Sequence, residues 1–136
     1  MAKLLVLLLL LSPLYGAESL CFYASSPLHL DKNQVRDIYL GKLFQVKKIP
    51  IRPVVLFEGE AHKVFLKNYI FKNSSQFKRH WKKMLFTGKA SPPISVDQET
   101  EGYKLLSSKD SKEGIWLFYS MGKEKPEGLF QVDVTP

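Results

Sequence analysis

Five consecutive residues, Ile115-Trp116-Leu117-Phe118-Tyr119, are apolar at every position. A strand with one wet face alternates apolar and polar residues; a run with no alternation belongs in a sheet covered on both faces. Helices must supply those covers, and the chain offers them between its other strand-like stretches. Leu20 to Ala24 reads as a short strand ending at Ser25-Ser26-Pro27, and Ile49 to Phe57 as a second strand entered through Pro50 and Pro53. Pro53 points to an edge position or a late start for that strand. Leu129 to Val134 alternates like a terminal strand.

Four helices fit between these runs. Asp31, with Gln34 three residues on, forms a capping box for a helix whose apolar face is Val35, Ile38 and Tyr39 or Leu40, closed by Gly41. Val64, Phe65, Tyr69 and Ile70 give a second stripe after the Glu58-Gly59-Glu60 turn. Ser74 to Phe86 is the third, with Phe77, Trp81, Leu85 and Phe86 as the apolar face and Lys78, Arg79, Lys82 and Lys83 opposite. Gly88 stops it and Pro92-Pro93 force an extended exit. Asp97 caps a fourth helix carrying Tyr103, Leu105 and Leu106, which Gly102 weakens, and Ser107 to Glu113 reads as a polar loop. The order of elements predicts an α/β fold, a small mixed sheet flanked by helices.

The first sixteen residues have another character. Lys3, the run Leu4 to Leu11 and the small-residue end Ser12 to Ala17 make a cleavable signal peptide over 1–16, with cleavage after Gly16 or Ala17. Eight apolar residues fall short of the ~20 that cross a bilayer, so no transmembrane segment is expected after cleavage. Cys21 follows Glu18-Ser19-Leu20, which does not fit a lipoprotein attachment site. The expected product is a single domain over 17–136, periplasmic or secreted, long enough to bury ~65% of its unfolded-chain surface.

With Lys3 removed, nineteen basic residues face thirteen acidic ones, a net charge of +6. Export excludes nucleic acid and turns that charge toward anionic lipid, envelope polyanions or an acidic protein. A lone cysteine cannot form an internal disulfide; within Leu20-Cys21-Phe22-Tyr23 it reads as a small buried hydrophobe. His29, His62 and His80 have no metal-ligand spacing, so neither metal nor cofactor is assigned. No dinucleotide glycine motif, phosphate-loop lysine motif or serine nucleophile elbow occurs. The acidic pairs Glu58 with Glu60 and Glu99 with Glu101 sit at turns and read as solvated or capping groups, which gives a non-enzymatic expectation.

Asp37-Ile38-Tyr39-Leu40-Gly41-Lys42, then the strand Ile51 to Leu56, the helix with Phe65, Trp81, Phe86-Thr87-Gly88 and Pro92-Pro93 occur in a characteristic order. This pattern, from Leu20 to Ser120, resembles the substrate-binding proteins of phosphate ABC transporters, and most of all their short, single-lobe relatives. The resemblance implies one lobe of the type II periplasmic binding protein fold. It also implies a site: full-length members hold phosphate with an arginine at a strand end and a Ser-Gly-Thr at the next helix start. Those positions fall here near Val55 and on Gly59-Glu60-Ala61, so the usual donors are missing and carboxylates stand in their place. At ~4 Å and an effective dielectric near 20, each such like-charge contact costs an anion about 4 kcal/mol.

Two surfaces remain as candidates. A cleft for phosphate or another small anion would bring together Ser25, Ser26, Gly59, His62, Thr87, Gly88 and Lys89, with glycine backbone, hydroxyls and a lysine as donors. A basic face of Lys78, Arg79, Lys82 and Lys83 would serve an accessory or interaction role, meeting a transporter subunit, an acidic envelope protein or anionic head groups.

Overall fold

A computed structural model of the protein describes residues 20–108, 113–122 and 125–136. The expected signal peptide over 1–16 lies outside the described residues, as does part of the loop after Ser108. In chain order the elements are β1 (Cys21–Ala24), β2 (His29–Asp31), α1 (Lys32–Tyr39), β3 (Gln45–Val46), β4 (Ile49–Leu56) and α2 (Glu60–Phe65). A π-helical turn (Leu66–Ile70), α3 (Ser74–Phe86), β5 (Ile94–Val96), α4 (Glu99–Ser108), β6 (Ile115–Ser120) and β7 (Phe130–Thr135) follow. Among the described residues the fold is mixed α/β: seven strands in the order β2-β7-β1-β6-β4-β3, with β5 also on β4. Strand β1 runs antiparallel to β6 and β7, while β4 runs parallel to both β6 and β5.

All six residues of β6 are buried, the five apolar ones as their unbroken run requires and Ser120 with them. Tyr119 stacks on Phe65 of α2 with ring centroids 4.1 Å apart, and Phe118 meets Tyr103 of α4 at 5.9 Å. Successive residues of one strand therefore serve the two helical layers. Gly102, which by propensity alone weakens α4, is there for space: a Cβ at that position would lie 2.1 Å from the Phe118 ring. Gly41 plays the same part for α3, since its Cβ would come within 2.7 Å of Trp81, whose indole N–H donates to the Tyr39 carbonyl at 3.1 Å. Gly41 and Trp81 are thus one packing contact.

Pro53 corrects an expectation. It sits inside β4, which has β6 on one side, and not on an edge strand. On the other side β3 covers Ile49 and Pro50, β5 covers Val54 to Leu56, and neither reaches Pro53. The Ile51 N–H points to that side, bonding the Phe44 carbonyl at 2.9 Å. Two residues on, the proline nitrogen faces the gap between the two short strands, where a donor would have nothing to meet.

The capping boxes show how the helices begin. Asp31 and Gln34 exchange bonds of 2.8 and 3.0 Å at α1, as expected. Asn73 and Gln76 do the same at α3, with bonds of 2.8 and 2.9 Å. The apolar face of α3 is narrower than its spacing suggested. Phe77 and Trp81 are buried, whereas Leu85 is 55% and Phe86 95% exposed. Phe86 lies about 180° around the helix from the Phe77 row, so it cannot share that face.

Candidate functional site

The carboxyl end of β4 leads into Phe57-Glu58-Gly59 and then α2, at the same sheet end where β5 and β6 finish. Open α/β sheets keep their ligand crevices at this end. Here a cavity of about 690 Å³ opens between that loop, α2 with its π-helical turn, and the start of α3.

Its floor is built from inside the fold. His62, only 6% exposed, lines the cavity beside Leu66, and its Nδ1 lies 2.8 Å from the Tyr119 hydroxyl. That hydroxyl accepts the Leu56 N–H at 3.0 Å, and among the described residues Nδ1 is the acceptor within reach of its own proton. That pairing assigns the neutral tautomer with hydrogen on Nε2, for which no described residue is an acceptor. Burial, reinforced by the Lys78 charge, pushes His62 down from the ordinary 6.5 to about 4. Burial likewise raises Tyr119, which keeps its hydroxyl protonated as the donor.

Two aromatic walls are more than half exposed, Phe57 at 51% and Phe71 at 66%, the latter with the Arg36 guanidinium 5.4 Å from its ring centre. Phe71 owes its place to the π-helical turn. The turn closes with Phe71 N–H on the Leu66 carbonyl at 2.7 Å, and Phe71 itself is left-handed, at φ 59°. A bulky side chain in that region is strained by about 1–2 kcal/mol. Expected from 3.6-residue spacing were Val64, Phe65, Tyr69 and Ile70; the buried set is Ala61, His62, Phe65, Leu66 and Ile70. Leu66 follows buried His62 by four residues and continues its row, and Tyr69 is partly covered.

The rim is basic. Lys63, Lys67, Lys72 and Lys78 surround the opening, against the single carboxylate of Glu58. Lys78 also sits 5.2 Å above the Phe57 ring. Asn73, Ser74 and Gln76 bring the positive end of α3 to the same edge.

Of the residues expected to form an anion cleft, Gly59 and His62 meet here and the others do not. Ser25 accepts the Trp116 N–H at 2.9 Å on its Oγ, which places it and Ser26 at the amino end of β6, the opposite end of the sheet. Thr87, Gly88 and Lys89 lie beyond the far end of α3, whose thirteen residues span about 20 Å. There Thr87 Oγ1 donates back to the Lys83 and Met84 carbonyls, and the Gly88 and Lys89 N–H groups bond Leu85 and Met84. That loop terminates a helix.

The expected basic face divides into two rows with four-residue spacing. Lys78 lines the cavity, with Lys82 next along its row; Arg79 and Lys83 line a shallower groove of about 290 Å³ with Phe71, Lys72, Gln76 and His80. Phe71 stands between the two depressions. Sequence spacing missed Phe57, Phe71 and the lysines at 63, 67 and 72. The Asn73–Gln76 capping box was the available signal, because it ends one helical segment and starts another with an aromatic left between them.

No protein-family model matches the chain, and no curated protein matches it either. No described helix is long and apolar enough to cross a membrane.

Proposed function

We propose that the protein is an exported, non-enzymatic binding module, built like one lobe of a type II periplasmic binding protein and related to phosphate-transport binding proteins. The observation that carries this reading is the lysine-rimmed cavity at the carboxyl end of β4, with Gly59 and His62 among its lining. Inorganic phosphate in the usual manner of that family is disfavoured. Gly59 provides no side-chain cap to α2, which is six residues long, and Glu58 and Glu60 stand exposed at its start. The test is native mass spectrometry of protein taken from envelope extract. A small anion released on denaturation supports the reading; protein that carries none and binds none from the extract contradicts it.

One observation favours a second reading, an accessory protein that meets an acidic partner or anionic envelope surface through α3. Phe86 is 95% exposed, beside Lys82 and Lys83 on the outward face of that helix. Salt-sensitive retention of an envelope component, lost when Lys78, Arg79, Lys82 and Lys83 become glutamine, would support it.

A further inference from the structure

Resting on the binding-module reading, we infer that the cavity between α2 and α3 is a site for a small organic anion with a flat apolar body, such as an aromatic carboxylate. Three independent features of the cavity converge on that chemistry. The walls provide aromatic surface: Phe57 and Phe71 are more than half exposed, each with a cation over its ring, Lys78 and Arg36, and Leu66 lines the cavity with them. A hydrated inorganic anion gains nothing from such surface, whereas a flat apolar ring can lie on it.

The floor and rim provide the anion's partners. His62 is more than nine-tenths buried, its Nδ1 is engaged by Tyr119, and its Nε2–H remains as a fixed donor with no protein acceptor among the described residues. Lys63, Lys67, Lys72 and Lys78 place positive charge around the mouth, with Glu58 the one opposing group. A neutral imidazole donates one hydrogen bond without adding charge to the interior, so the apolar floor stays intact while the lysines neutralise the ligand at the solvent boundary. At about 690 Å³ the cavity falls within the range that holds small organic ligands.

Isothermal titration of the purified protein with 2-naphthoate, 2-naphthylmethanol and inorganic phosphate tests this, alongside flotation with phosphatidylglycerol vesicles. Expected is saturable one-to-one binding of naphthoate, at least about tenfold weaker binding of the neutral alcohol, and no saturation by millimolar phosphate. Lys67→Gln and Phe71→Ala, both at exposed positions, should each weaken naphthoate several-fold; His62→Phe, checked for folding by circular dichroism, should weaken it about tenfold. Should His62→Phe not fold, the two surface variants decide. Equal affinity for naphthoate and the alcohol overturns the inference, as does equal competition by phosphate or binding to vesicles alone. If no probe saturates while protein from envelope extract still carries a released anion, this inference falls and the binding-module reading stands. If both fail, both fall.

Discussion

Two places in this molecule carry glycine, lysine and a hydrogen-bonding side chain near the end of a helix, and they differ in how much uncharged bonding capacity is left for a ligand. Around Thr87-Gly88-Lys89 the hydroxyl and the backbone donors are consumed by the carbonyls of α3 itself. Around Gly59 and His62 an imidazole N–H has no acceptor among the described residues, two aromatic rings are more than half exposed and one of them, Phe71, is held in a left-handed conformation. The difference teaches that residue type does not make a candidate site; unused bonding capacity beside exposed apolar surface does.

Several measurements can break or sharpen this contrast. Tyr119→Phe should have the largest effect. It leaves the buried Leu56 N–H without its acceptor and His62 Nδ1 without its donor, for a loss of about 2–4 kcal/mol in urea denaturation. A change under about 0.5 kcal/mol would mean that the floor of the cavity is not held by this network.

Acid comes next. The unfolded imidazole of His62 takes up a proton near pH 6.5 and the folded one near 4, so between these values the unfolded state holds more protons. Stability is complete above pH 6.5 and should fall by about 3 kcal/mol as the pH drops to 4. Chemical denaturation at several pH values checks this, and His62→Phe should flatten the curve in that window. A wild-type curve that is already flat would mean that folding leaves the titration of the imidazole unchanged.

A smaller effect is expected at the aromatic wall. Because Phe71 sits at φ 59°, Phe71→Gly should be more stable than Phe71→Ala by about 1 kcal/mol, the reverse of their order inside a helix. Equal stability of the two would show that the left-handed turn relaxes. Smallest of all, Thr87→Val at the far end of α3 should cost under about 0.5 kcal/mol, since its exposed hydroxyl only doubles up on carbonyls that water can reach. It should leave naphthoate titrations unchanged.

Much of the fold could be read from local pattern. The run Ile115 to Tyr119 gave a strand buried on both faces, and Asp31 with Gln34 gave the start of α1, because each signal is complete within a few residues. The short strands β2, β3 and β5 could not be read so. They have two or three residues each and exist only because a partner strand lies beside them. Pro53 misled for a related reason: its place between β3 and β5 depends on a gap that forms only when both have docked.

The candidate site was half legible. Gly59 and His62 were found through the position of the turn after β4. Phe71 was not, since a π-helical turn breaks the 3.6-residue spacing on which any helical reading depends. Ser25 was assigned to the wrong end of the sheet because strand direction is not written in composition; the antiparallel pairing of β1 with β6 turns it away from His62. Phe86 was grouped with the buried stripe although helical geometry already puts it on the far side.

The most direct test of the contrast is a map of amide chemical shifts as 2-naphthoate is added to isotopically labelled protein. The account predicts saturable shifts at Phe57, Gly59, His62, Phe71 and Ser74, with Thr87, Gly88 and Lys89 unmoved. Shifts centred on Thr87 to Lys89, or none at the cavity, would contradict it.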